Sequence, residues 1–230
     1  MIKLSKRLRA IVNFCDKNKI IADIGTDHGF VPNFLYEEDI NRKIIATDIS
    51  LNSLNKAIEF SELRGNKGKI EHIVCNGLEK IPPVDQIIIA GMGGILISKI
   101  LDRDFEKARQ AEKLILQPMQ QVDYLRKFLY DKGFKILDEK IVFEDNKFFH
   151  IIVANYKAIK EEYRDIDLKV SKLLRNRKDK DLIEFLKYLI NYNIFIIENI
   201  EGSSTRSIYK KDKLREENIE LKEILDEVQK

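Results

Sequence analysis

Tryptophan is absent from this chain of 230 residues, and there are only two cysteines, four prolines and three histidines. Cys15 and Cys75 lie far apart with no Cys-x-x-Cys pair, so neither a disulfide framework nor a zinc site is expected, and no metal is expected at all. Long apolar runs are also missing. The most apolar stretch, "LIEFLKYLINYNIFII", is broken by Glu184, Lys187, Asn191 and Asn193, and the basic start "MIKLSKRLRAIVNF" has no continuous apolar core or small-residue cleavage site. A cytoplasmic protein without a membrane segment or leader is the expectation. Charge of one sign does not dominate either: 41 Lys and Arg against 38 Asp and Glu leave a net +3, which says little about partners.

The distribution of that charge says more. Lys3, Lys6, Arg7 and Arg9 precede Cys15 with no acid among them. "KVSKLLRNRKDK" (169–180) carries six basic residues against Asp179, and "RSIYKKDKLR" (206–215) five against Asp212. Clusters of this kind suit a phosphate backbone, and equally suit a solvated face.

Up to about residue 156, short apolar β-branched runs alternate with helical patterns. Strands are expected at 19–25, 43–49, 69–75, 85–91 and 113–118, each nearly continuous in apolar residues as strands covered on both faces are. Between the second and third, Ser50 reads as a helix N-cap and Gly65 as a helix stop. Alternation of this kind predicts a doubly wound parallel α/β sheet. Residues 134–157 hold two more strand runs separated by a turn at Asp145 and Asn146, an antiparallel hairpin. Five parallel strands closed by a hairpin match the Rossmann-like seven-stranded sheet of class I methyltransferases. The expected domains are 1–157 and a helical hairpin over 158–230, with Leu214, Asn218, Leu221, Leu225 and Val228 as a coiled-coil-like seam.

The turn after the first strand, Gly25-Thr26-Asp27-His28-Gly29, sits where open α/β sheets bind ligands. A dinucleotide-binding loop has a bare glycine where Asp27 stands, and a second negative charge there would oppose a pyrophosphate. S-adenosylmethionine carries one net positive charge, so carboxylates at Asp23 and Asp27 would favour it. A structural alternative makes Asp27 the N-cap of the following helix. Asp48, with Ile49 beside it, ends the second strand as a ribose-binding acid would. Asn76 and Gly77 end the third and are candidates for the adenine.

The fourth strand ends in Ala90-Gly91-Met92-Gly93-Gly94, read as a bare floor where a substrate base meets the methyl group. The Asn/Asp-Pro-Pro-aromatic motif of enzymes that methylate exocyclic amines is absent, which points to a ring nitrogen as target. Gln117, ending the fifth strand, could hydrogen-bond the base edge, with Asp27 as the carboxylate that stabilises charge developing on the base. His28 and Gly29 complete the cofactor loop.

On "LSKRL" (4–8), "ADIGTDHGFVP" (22–32), "NGLE" (76–79), "IAGMGGILI" (89–97) and "LILQP" (114–118), the chain resembles the bacterial tRNA (adenine-N1)-methyltransferase family that modifies adenosine 22. Asn76 stands where that family's pattern has an acid, and Met119 where it has Asn. The resemblance implies a class I methyltransferase domain followed by a helical one, S-adenosyl-L-methionine as cofactor and tRNA as substrate; a monomer is the expectation. The residues alone leave open a small-molecule methyltransferase or a non-enzymatic RNA-binding protein on the same fold.

Overall fold

A computed structural model describes residues 2–202 and 204–230. Two compact units divide the chain, 1–162 and 163–230, so the first runs past the expected 157/158 boundary.

The first unit is one seven-stranded sheet of order β3-β2-β1-β4-β5-β7-β6. Its parallel part comprises β1 (Ile21–Ile24), β2 (Ile44–Asp48), β3 (Glu71–Val74), β4 (Gln86–Met92) and β5 (Lys113–Pro118). Ile21, Ile44, Ile88 and Ile115 join one buried cluster with Ile11, Phe34 and Leu35 from the covering helices. Double-sided burial is what the continuous apolar runs encode. β3, at the sheet edge, is only partly buried.

The helices follow their start signals. α1 (Lys6–Val12) is capped by Ser5, whose hydroxyl accepts from the Leu8 amide. α2 (Phe30–Glu38) follows β1, and α3 (Leu51–Leu63) follows β2, with Ser50 accepting from the Ser53 amide and Gly65 beyond the end at φ +76°. α4 (Gly94–Arg103), α5 (Phe105–Gln110) and α6 (Val122–Lys132) complete the crossovers. β6 (Phe134–Glu144) and β7 (Lys147–Tyr156) form the hairpin, and β7 inserts antiparallel between β5 and β6. Its two-residue turn holds Asp145 at φ 49° and Asn146 at φ 59°, the double left-handed geometry that matches strand twist.

The second unit is helical: α7 (Asp165–Lys169), α8 (Lys172–Asn176), α9 (Lys180–Asn199) and α10 (Thr205–Gln229). α9 packs on α10. The seam of α10 differs from expectation in two positions: Ile224 is buried with Asn218, Leu221 and Val228, whereas Leu214 and Leu225 are half-buried. Asn218 accepts from Asn193 Nδ2 at 3.0 Å and donates to the Ile190 carbonyl at 3.3 Å, a buried amide pair that fixes the register of the two helices. Among the described residues no helix is long and apolar enough to cross a membrane.

Candidate active site

Strand order reverses between β1 and β4, and their carboxyl ends open onto a cavity of about 650 Å³. This switch point is where open α/β sheets place their ligands. One wall is the β1–α2 loop (Asp23, Gly25, Thr26, Asp27, His28, Phe30) with Ala90 and Gly91 from β4. The other comes from α1 and the β6–β7 hairpin, including Arg7, Glu144, Asp145, Lys147 and Phe149.

The loop folds back on β2: Gly25 and Thr26 both donate to the Thr47 carbonyl at 2.8 Å. Gly25 takes φ +75°, and a side chain there would run into the Met92 methyl group. Asp27 itself sits at φ 46°, a conformation Asp tolerates because its short polar side chain bonds locally. Its side chain does not cap α2. The N-cap is Gly29, at φ +71°, and no side-chain cap bond is made there, so the structural alternative for Asp27 falls. The Asp27 carboxylate is exposed at the cavity, 3.5 Å from His28 Nε2, and the His28 ring stacks on Phe30 at 5.6 Å. Gly29 has a packing reason, because a Cβ would come 2.9 Å from the Ala57 Cβ of α3.

Asp23 is 5% exposed, yet it lines the cavity. Burial pushes its carboxyl up to about 6, with the Thr26 side chain pulling it down and the Asp48 charge adding to the rise. Asp48 accepts from the Ser50 amide at 2.8 Å and the Asp27 amide at 3.3 Å, so this carboxylate ties the first two sheet-edge loops together. Its oxygens retain lone pairs for a further donor.

Ile49, exposed, and Asn76 and Gly77 lie beyond the cavity at the ends of β2 and β3. Three charged side chains from the α4–α5 corner hold that segment. Arg103 Nη2 donates to the Asn76 carbonyl at 2.5 Å, Asp104 accepts from the Leu78 amide at 2.9 Å, and Lys107 donates to the carbonyls of Leu78, Glu79 and Ile81. Gly77, at φ +59°, admits Arg103 where a Cβ would come within 2.5 Å of its Nη2. No spacing in the sequence signals this clamp.

Two readings of the sequence need correction. Gln117 does not present an edge to a substrate: it is fully buried, its Oε1 accepting from Arg7 Nη1 at 2.6 Å and the Gly91 amide at 3.2 Å, and its Nε2 donating to the Pro118 carbonyl at 2.8 Å. Nor is the glycine floor one surface. A Cβ on Gly91, at φ +80°, would meet nothing within 4 Å, so this glycine faces open space. Gly93 instead lies against the Gln120 and Gln121 side chains, and a Cβ on Gly94 would strike the Gln121 carbonyl. The last two let the β5–α6 loop close over the start of α4.

The donor set suits S-adenosylmethionine. From the β1–α2 side two carboxylates, Asp23 and Asp27, face the cavity, the glycine beside them leaves space, and a backbone-anchored acid ends the next strand. Among the described residues no group of three or more His, Cys, Asp or Glu could hold a metal. Fold and site together define a class I S-adenosylmethionine-dependent methyltransferase.

Comparison with known proteins narrows the class. A methyltransferase-domain family matches residues 4–152. The tRNA (adenine(22)-N(1))-methyltransferase of Bacillus subtilis is 31% identical over 234 residues, covering 98% of each chain. The crystal structure of the B. subtilis m1A22 tRNA methyltransferase TrmK superposes with a TM-score of 0.83 at 27% identity, covering 98% of this chain and 100% of that one. Streptococcus pneumoniae Sp1610 in complex with S-adenosyl-L-methionine gives 0.84 at 29% identity, covering 97% and 100%. The chain belongs to the tRNA (adenine(22)-N(1))-methyltransferase family.

Proposed function

We propose that this protein transfers the methyl group of S-adenosylmethionine to N1 of adenosine 22 in tRNA, as a cytoplasmic monomer. The observation that carries the reading is the Asp27 carboxylate, exposed at the cavity within a glycine turn and free of any capping duty. The cofactor, when bound, supplies an electrophilic methyl group on a sulfonium.

Adenine N1 already owns a lone pair, so the protein needs no strong base, and catalysis is mainly alignment. As the bond forms, positive charge moves onto the ring, where Asp27 would stabilise it. Asp23 would receive the cofactor ammonium, Asp48 the ribose diol, and Asn76 and Gly77 the adenine of the cofactor. Ala90 and Gly91 would form the floor beneath the reacting centre, and Phe30, already stacked with His28, offers a face to an extruded base.

The helical unit supports the choice of substrate. Basic residues crowd the start of α10 and acids its end, against the helix dipole. tRNA phosphates give the basic end a purpose. The test is mass spectrometry of nuclease-digested tRNA after incubation with protein and S-adenosylmethionine: 1-methyladenosine at position 22 is expected. A methylated product at another atom, or none, would refute the assignment. Light scattering during gel filtration checks the monomer.

A further inference from the structure

Arg7, on the α1 wall of the cavity, has no ligand assigned to it, yet its surroundings are unusual for a surface arginine. Its amide and that of Lys6 donate to the Glu144 carboxylate at 3.3 and 2.6 Å, which pins the start of α1 to the end of β6. Its guanidinium lies 5.5 Å from the Phe149 ring centre and gives one hydrogen bond, from Nη1 to Gln117. Among the described residues it has no salt bridge. A guanidinium carries five N–H donors in a fixed fork, so several remain unspent. The side chain is half-buried and lines the 650 Å³ cavity. Burial lowers its pKa, Glu144 offsetting part of that fall, but it stays protonated at any physiological pH. A desolvated cation with unspent donors, held rigidly against a cavity, is built for an anion.

Two anions could enter this cavity: the carboxylate at the amino-acid end of S-adenosylmethionine, or a tRNA phosphate. Two observations and one electrostatic argument favour the first. Arg7 is tied through Gln117 to the Gly91 amide, at the end of the strand beside β1. Asp23, the acceptor assigned to the ammonium, lines the same cavity, and ammonium and carboxylate sit on one carbon of the cofactor. A guanidinium without a salt bridge near a base that becomes cationic would also raise the barrier to transfer, whereas one paired with the cofactor's carboxylate would not. Lys147 lines the cavity too, but it is exposed and lacks this fixed setting.

We propose that Arg7, clamped by Gln117, Phe149 and the Glu144-anchored start of α1, is a cofactor-binding residue that receives the carboxylate of S-adenosylmethionine. Gln117 is then a positioning residue, its single buried oxygen setting both Arg7 and the Gly91 amide. The inference rests on the cofactor assignment but not on tRNA as substrate, so it can be tested with no nucleic acid present.

Calorimetry on the full chain would compare three ligands: S-adenosylmethionine, its decarboxylated analogue, and 5′-methylthioadenosine, which lacks the amino-acid end. Wild-type protein should prefer S-adenosylmethionine over the decarboxylated analogue by about 10- to 100-fold, the scale of one charged hydrogen-bonded contact. Arg7→Gln should abolish that preference while binding 5′-methylthioadenosine as wild type does, which also shows an intact site. Arg7→Lys, keeping charge but losing the fork, should fall between. An unchanged preference in Arg7→Gln overturns the proposal, as does an equal loss for all three ligands, which would make Arg7 a prop for the site's shape. A reduced salt dependence of tRNA binding in Arg7→Gln, with cofactor discrimination intact, would assign Arg7 to a phosphate instead. Wild-type protein that discriminates the carboxylate but never methylates tRNA would refute the substrate and leave Arg7 in place.

Discussion

Two buried charge clusters in the sheet unit are constructed on opposite principles. Behind the hairpin, Arg126 is fully buried; it donates to Glu139 at 2.8 Å and to His150 Nδ1 at 3.3 Å, so the cation meets an anion and a neutral acceptor. Burial, with the Arg126 charge adding to it, holds His150 well below its usual pKa and therefore neutral. At the carboxyl edge, buried Asp23 and half-buried Arg7 each lack a salt bridge among the described residues, Glu144 spending its oxygens on backbone amides, and both face a cavity. The first cluster is complete in itself. The second is left incomplete at a cost in stability, and that difference separates scaffold from site more sharply than burial or charge alone.

Breaking the closed cluster should give the largest effect on folding. Glu139→Ala leaves Arg126 charged in the interior and should lower stability by about 3–5 kcal/mol, seen as a fall in the urea midpoint. Cofactor affinity in the fraction that remains folded should be unchanged. If Glu139→Ala also removes cofactor binding, the two clusters are not separate.

Asp48→Ala is the matched change at the open edge. It should weaken S-adenosylmethionine binding by about 1.5–3 kcal/mol in calorimetry, the worth of a charged hydrogen bond, together with a smaller loss of stability from the Ser50 and Asp27 amides it releases. Unchanged affinity would remove Asp48 from the cofactor site.

The pH response sharpens the contrast further. Because the folded-state pKa of Asp23 is raised to about 6 from 3.8, this group's contribution to stability is full below 3.8 and is lost as pH rises through 6. A bound ammonium reverses the preference. Cofactor affinity should therefore fall as pH drops below 6, by up to about tenfold per unit, with a proton released on binding near pH 6. Calorimetry in two buffers of different ionisation enthalpy reads that proton; none released would mean Asp23 does not meet the ammonium.

The smallest effect lies in the helical unit. Replacing Lys210, Lys211 and Lys213 with Gln should flatten the salt dependence of tRNA affinity, by about 0.7–0.9 in log–log slope for each phosphate no longer neutralised, with cofactor binding untouched. An unaltered slope would take the start of α10 out of the tRNA interface.

All seven strands and the glycine turn after β1 were legible in the sequence, because a strand covered on both faces must be apolar throughout and a sharp turn must use glycine. Interactions between distant segments were not. Arg7 reads as one of four basic residues at the start of the chain, and only the fold brings it to Gln117 and Phe149. Gln117 ends a strand at the site edge, as a ligand-facing side chain would, but a strand residue's direction is fixed by the sheet around it. Gly91, Gly93 and Gly94 look alike in a sequence although one faces space and the others face the Gln120–Gln121 loop. In α10, Ile224 and Leu225 are equally apolar, and only the twist of the pair decides which is buried.

Whether the open carboxylates serve the reaction rather than the fold is decided at Asp27. Asp27→Asn keeps a residue that tolerates φ 46° and removes the charge. Single-turnover methylation of tRNA and the melting temperature would be measured on one preparation. A rate lower by about 100-fold or more with little change in melting temperature is expected, the scale of removing a preorganised electrostatic partner from developing charge. A near-normal rate with a lowered melting temperature would make Asp27 a structural residue and contradict its catalytic role.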